Sequence, residues 1–157
     1  MRPLNALPLL ALVLLTQVSC WSESEPTFRF VTRDNIPSGK AVVYVYRPPS
    51  MIGSFGICNL KINEAPTGGL AAGQYTYVFV DPGKTRFETT GSFQAFVTVN
   101  VEESHEYFIK QTWILDLAGY HPRVENIPKL RAERELAECA HVENPPIIEE
   151  EVNEPEP

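Results

Sequence analysis

The sequence predicts an all-β domain: an antiparallel sandwich or open barrel of about six to seven short strands, followed by one short C-terminal helix. Three observations predict it. Apolar residues recur at every second position over several separate stretches, the signature of strands with one buried face. The same stretches are rich in valine, tyrosine and phenylalanine, which suit a pleated, packed surface. The 14 prolines and 9 glycines among 157 residues cut the chain into segments too short for long helices.

The chain begins with Met1 and Arg2, an apolar run from Leu7 to Leu15, and small or polar residues up to Ser19, so residues 1–19 read as a secretory leader. The run is short for a bilayer span and is followed by Trp21 and acidic residues rather than by positive anchors, which argues against a permanent membrane helix. Residues 20–39 are a spacer with few apolar positions. The domain then occupies 40–142. Ala41 to Tyr46 is β-branched and aromatic on both faces, as a strand packed on both sides requires, and Pro48-Pro49 ends it. Ser50 to Gly56 is a loop. In Cys58 to Asn63 the apolar residues alternate, which points Cys58 inward. Glu64 to Gly73, with Pro66 and three glycines, reads as a turn region.

Gln74 to Val80 alternates Tyr75, Tyr77 and Phe79 with Thr76, Val78 and Val80, a second central strand. Asp81-Pro82-Gly83-Lys84 has proline and glycine where a type II turn wants them, and predicts a hairpin into Thr85 to Thr90. Phe93, Ala95, Val97, Val99 and Val101 form a period-two stripe in which Phe96 is the exception among otherwise polar partners. His105 to about Leu115 is the next strand, with Tyr107, Ile109 and Trp113 on one face. Pro128 suits a first helical turn, and Leu130, Ala132, Leu136, Cys139 and Ala140 lie on one side of a helix reaching about Cys139. Arg131 with Glu135 and Arg134 with Glu138 are spaced for i,i+4 pairs. From Glu143 on, six glutamates, four prolines and no positive charge read as a disordered tail, 143–157.

Function is harder to read. The formal charge of −7 and the lack of a dense Lys/Arg cluster exclude a nucleic-acid footprint. His105, His121 and His141 are scattered, and none has a second ligand at metal spacing, so no metal is expected. No nucleophile elbow, phosphate loop or Cys-x-x-Cys occurs, so neither enzymatic activity nor a cofactor is expected. Arg47 is a candidate anion anchor at a strand end, with a charge pair to a neighbouring strand as the alternative. Tyr75 and Tyr77 are candidates for an aromatic sugar-binding face, with cross-strand packing as the alternative.

Val18-Ser19-Cys20 resembles the lipobox of bacterial lipoproteins, with Gln17 where that motif usually has leucine. The resemblance implies lipidation at Cys20 and a membrane anchor. Trp21 in place of an aspartate favours the outer over the inner membrane, and a soluble periplasmic or secreted protein is the alternative. With Cys20 committed, Cys58 and Cys139 remain. Export and an even count permit a disulfide between them, against two buried thiols acting as small hydrophobes. Tyr44-Val45-Tyr46-Arg47-Pro48, Gly53-Ser54, Gly69-Leu70, Gly73-Gln74-Tyr75 and Pro82-Gly83-Lys84 together resemble a family of bacterial envelope lipoproteins described only as a domain of unknown function, over about Lys40 to Cys139. The Leu60 to Phe87 portion is similar to PEGA domains in its order of strands and turns. These resemblances imply an envelope-tethered sandwich and no reaction. The leading expectation is a structural or protein-interaction module that meets another envelope protein, and the alternative is a β-sandwich that binds a carbohydrate such as peptidoglycan.

Overall fold

Seven consecutive residues, Ala41–Arg47, are buried without exception, and this run forms the central strand β1. The computed structural model describes residues 31, 35–52, 56–89, 94–117 and 119–147. After β1 come β2 (Cys58–Ile62), β3 (Ala65–Leu70), β4 (Gln74–Val80), β5 (Gly83–Thr89), β6 (Ala95–Val101), β7 (Glu106–Asp116), β8 (Gly119–Asn126), α1 (Lys129–Leu136) and β9 (Ala140–His141). They make two sheets, β8-β7-β1-β4-β9 and β3-β2-β5-β6. The sandwich and its short C-terminal helix are as expected, and no barrel closes. Pairing is mixed rather than purely antiparallel, because β1 runs antiparallel to β4 but parallel to β7, and β4 is parallel to β9. Parallel neighbours need a long crossover, and between β1 and β7 it consists of β4 together with the whole second sheet.

The period-two rule divides the core at β1. Ala41, Val43 and Val45 face the second sheet and pack with Leu60, Leu70 and Phe87. Val42, Tyr44 and Tyr46 face the other way, where α1 covers them with Ala132, Leu136 and the nearby Cys139. Each large apolar side chain so buried contributes about 1.5–3 kcal/mol. Tyr44 is packed on both flanks, stacked on Phe108 at 5.2 Å and tilted against Tyr77 at 6.2 Å.

Several elements differ from the reading of the sequence. The turn region Glu64 to Gly73 contains β3, which Pro66 and the glycines conceal; it is an edge strand, where proline is tolerated. Its Gly68-Gly69 pair has a reason outside the strand. A Cβ on Gly68, whose φ is +106°, would lie 2.4 Å from the Pro145 carbonyl oxygen, and one on Gly69 would lie 2.2 Å from Ile57 Cγ2 and 2.6 Å from Asn59 Oδ1; the Gly69 N–H also donates to the Pro146 carbonyl at 2.9 Å. The described chain therefore meets β3 at residues 145–146, inside the stretch assigned to a disordered tail, while 148–157 lie outside the described residues. β8 was hidden by Pro122 and is likewise an edge. The Asp81 to Lys84 corner is no hairpin, since β4 and β5 belong to different sheets; it passes the chain between layers. Phe96, the exception in its stripe, is exposed and lies beneath the Arg86 guanidinium, 3.7 Å from the ring centroid.

The helix ends at Leu136, and Leu130 is exposed, because the packed stripe is the i,i+4 pair Ala132 and Leu136. The disulfide between Cys58 and Cys139 does not form: both are buried free thiols. Cys58 shares the inward face of β2 with Leu60, between the sheets. Cys139 follows α1 on the opposite side of the first sheet, so the backbone of that sheet lies between them. The helix does dock on a sheet, but on the other one.

Candidate docking surface

The register fixes which loops share an end. β1, β5 and β7 run toward one end of the sandwich, and β2, β4, β6 and β8 run away from it. The strand ends that flank four connections therefore lie there, those of 48–57, 71–73, 90–94 and the β7–β8 turn, with 53–55, 90–93 and 118 themselves outside the described residues. Together, 48–57, 71–73, 90–94 and 113–120 contain one charged residue, Asp116. The opposite end is its inverse. Lys40, Glu64, Asp81, Glu102 and Glu103 mark its turns, Lys40 pairs with Asp81 at 2.7 Å, and Glu103 accepts from the Gly39 N–H at 2.8 Å.

This charge-poor end also carries most of the exposed large apolar side chains, with Phe79 and Leu130 exposed elsewhere. β1 and β7 pair as far as Tyr46 with Lys110, and β7 then continues to Asp116, paired with β8 down to Gly119. At about 3.3 Å per residue the hairpin stands roughly 20 Å beyond that last pair. Leu117 at its tip and Met51 in the neighbouring connection stand fully in solvent, with Leu115, Ile52 and Ile57 also exposed. Behind them Trp113 and Tyr120 stack across the hairpin, centroids 4.7 Å apart and planes 10° from parallel. Asp116 is met from across the hairpin by His121 at 3.5 Å.

Arg47 anchors the root of this end. It is 3% exposed, points between the sheets, and donates from one guanidinium nitrogen to the carbonyls of Gly56 and Leu70, both at 3.0 Å. It thus ties the 48–57 connection to the end of β3, and acts as a fastener rather than a surface anion anchor. Burial pulls its guanidinium below the ordinary value, against the opposing effect of Cys58 and Tyr120. Burial likewise pushes the Cys58 thiol up to about 11, Arg47 only partly offsetting it, and the Cys139 thiol up to about 12. Thiols so placed are not nucleophiles at neutral pH. One residue past Tyr46 and Lys110, Gln111 sits beside Arg47 in register; it is fully buried, and neither of its amide atoms has a hydrogen-bond partner.

Other residues singled out by the sequence lie elsewhere. Tyr75, 3% exposed, and the half-buried Tyr77 pack on the helix side of the first sheet, with the His141 ring tilted against Tyr75 at 5.0 Å and stacked on Tyr77 at 5.5 Å. They are packing residues there, not a row facing solvent. His105 is near Glu102 at the charged end, 3.7 Å away. Among the described residues no group of three His, Cys, Asp or Glu could hold a metal, and no helix is long and apolar enough to cross a membrane. Cys20 and the leader fall outside the described residues.

Sequence reasoning missed a polar latch beneath the helix. Glu135 accepts from Tyr46 Oη and Lys110 Nζ, both at 2.8 Å, and from Arg131 Nε at 3.0 Å. Burial alone would raise its carboxyl, but the hydrogen bonds from Lys110, Tyr46 and Arg131 hold it below the ordinary range. Only the Arg131 to Glu135 spacing was visible beforehand.

One end of the sandwich thus combines exposed apolar side chains, a single charge and a fastened root, and the opposite pole is charged. Neither a curated protein nor a solved structure matches the chain. A family model does, and it stops short of α1 and β9. Residues 37–121 match the family described as Protein of unknown function (DUF2846), more than half of the chain, and the chain belongs to that family.

Proposed function

We propose that the protein is an exported cell-envelope lipoprotein, anchored through Cys20, whose sandwich works by contact rather than by turnover: a structural or protein-interaction module. The observation that carries the reading is the polarity of the sandwich, with Met51, Ile52, Leu115 and Leu117 exposed on loops that hold a single charge. Exposed apolar residues concentrated in one place mark interaction sites. The leader and the cysteine that closes it support the tether, since two or three acyl chains at about 0.8 kcal/mol per buried methylene hold a protein where one does not. The buried thiols, and Tyr75 and Tyr77 in packing roles, give neither a nucleophile nor a sugar platform, which favours docking over the glycan alternative.

Two measurements in intact cells test this. Mass spectrometry of the native N-terminus should find acylated Cys20; an unmodified terminus would refute the tether. A photo-crosslinking residue in place of Leu117 should capture discrete adducts that the same residue in place of Glu102, at the opposite pole, does not. Equal, diffuse labelling from both would sink the docking end.

A further inference from the structure

We infer that the charge-poor end enters the lipid–water interface of the membrane that holds the anchor, to a depth at which Asp116, the one charge on its connections, stays in the hydrated headgroup layer beside His121, so that the domain lies on that membrane tip first. The inference rests on the reading of this end as an interaction surface, and it names the surface it meets. A flat apolar patch rimmed by charges fits a protein; here the apolar side chains come from separate protruding loops. Leu115 and Leu117 are carried by the hairpin, Met51 and Ile52 by the connection beside it. Leu115 with Tyr120 and Asp116 with Gly119 pair the inward-facing half of the hairpin's backbone down to the turn, and the outward half keeps its water in the hydrated headgroup layer, which is as deep as an open edge can go. Insertion of about 5–10 Å is the usual depth for interfacial elements.

Two further features fit lipid. The Trp113 and Tyr120 stack lies just behind the apolar tip, at the level where amphipathic rings prefer to sit in a membrane. The charge distribution orients the body: the acidic pole of Glu64, Asp81, Glu102 and Glu103 is turned away from the tip, and the net charge of −7 makes a zwitterionic surface a better host than an anionic one. The tether permits this pose. Val31, whose N–H donates to the Tyr44 hydroxyl at 2.7 Å, lies on the helix side of the first sheet. The chain from Cys20 to Val31 reaches at most about 40 Å when extended, and the tip stands roughly 25–35 Å along the strands from Tyr44.

The test separates the tip from the anchor. The chain from residue 20 onward with Cys20→Ser carries no acyl group, and Trp21→Phe leaves Trp113 as its only tryptophan. This protein should co-float with phosphatidylcholine vesicles, bind at least threefold less to vesicles containing phosphatidylglycerol, and show Trp113 quenched by brominated lipid. Leu115→Ser with Leu117→Ser should lower the partition coefficient at least tenfold without changing the unfolding midpoint, since both residues are exposed. Binding that ignores these substitutions, or a preference for the anionic vesicles, would overturn the inference. No flotation, with discrete protein adducts from position 117 in cells, would overturn it while leaving the docking end intact; no flotation and no adducts would remove both.

Discussion

At position 111 a glutamine amide lies inside the sandwich with nothing to bond, and such a group costs about 1–3 kcal/mol relative to water. Replacing it by an apolar side chain of similar shape removes that cost. Gln111→Met is expected to raise stability by about 1–2 kcal/mol in urea unfolding; a loss instead would show that the amide is satisfied in solution. The sequence held a signal for this residue, because Tyr107, Ile109 and Trp113 define an inward stripe that Gln111 interrupts. Arg47 gave less away: its side chain bonds backbone carbonyls, and no pattern of residue types announces such acceptors. The two thiols make a second prediction at this scale. With Cys58 and Cys139 both buried and unpaired, the folded Cys20→Ser protein should react with neither iodoacetamide nor maleimide at pH 8, and both should label at once in denaturant without reductant. One or no label in denaturant would restore the disulfide.

Among the elements, those with uninterrupted alternation were legible. β1, β2, β4, β6 and β7 could be read from residue types because their neighbours on both sides, or on one face, are other strands. β3 and β8 could not, since Pro66, Gly68, Gly69 and Pro122 break the pattern, and each is allowed only because the strand is an edge or because another segment closes on it. The helix position was legible but its fastening was not. Tyr46, Lys110, Arg131 and Glu135 come from three elements, and only packing brings them to one carboxylate. That carboxylate titrates below its ordinary value of 4.5 in the folded protein. Its contribution is therefore complete above the unfolded value and lost as pH falls through the folded one. Glu135→Gln should flatten the acid side of the stability profile below about pH 5. At neutral pH Glu135→Ala should cost about 2 kcal/mol, because Lys110 and the Tyr46 hydroxyl, both largely buried, lose their acceptor. An acid limb identical to that of the unmodified protein would show that other carboxylates govern it.

At the scale of the whole molecule, the feature that suggests a role is the one most scattered in the sequence. The stretches 48–57, 71–73, 90–94 and 113–120 are far apart in the sequence, and only the strand directions reveal that the strand ends flanking them share one end of the sandwich. The chain's end is assembled in a similar way. β9 pairs with β4 through Ala140 N–H to Gly73 O and Val142 N–H to Tyr75 O, both at 2.8 Å, and Pro146 then takes the Gly69 N–H on the other sheet. This strap crosses an open side of the sandwich and covers part of the β3 edge, which would otherwise present unpaired backbone. A chain ending at Val142 should lose about 1 kcal/mol for the Gly69 hydrogen bond and self-associate more readily in sedimentation velocity. The Gly68 position supplies the sharper test. In the full chain Gly68→Ala meets both its +106° φ, worth about 1–3 kcal/mol of strain, and the Pro145 carbonyl 2.4 Å from the new Cβ. In the chain ending at Val142 only the strain remains, so the substitution should cost at least about 1 kcal/mol less there, a coupling that a double-mutant cycle reads directly. Equal costs in the two chains would mean that residues 145–146 do not close on β3 in solution.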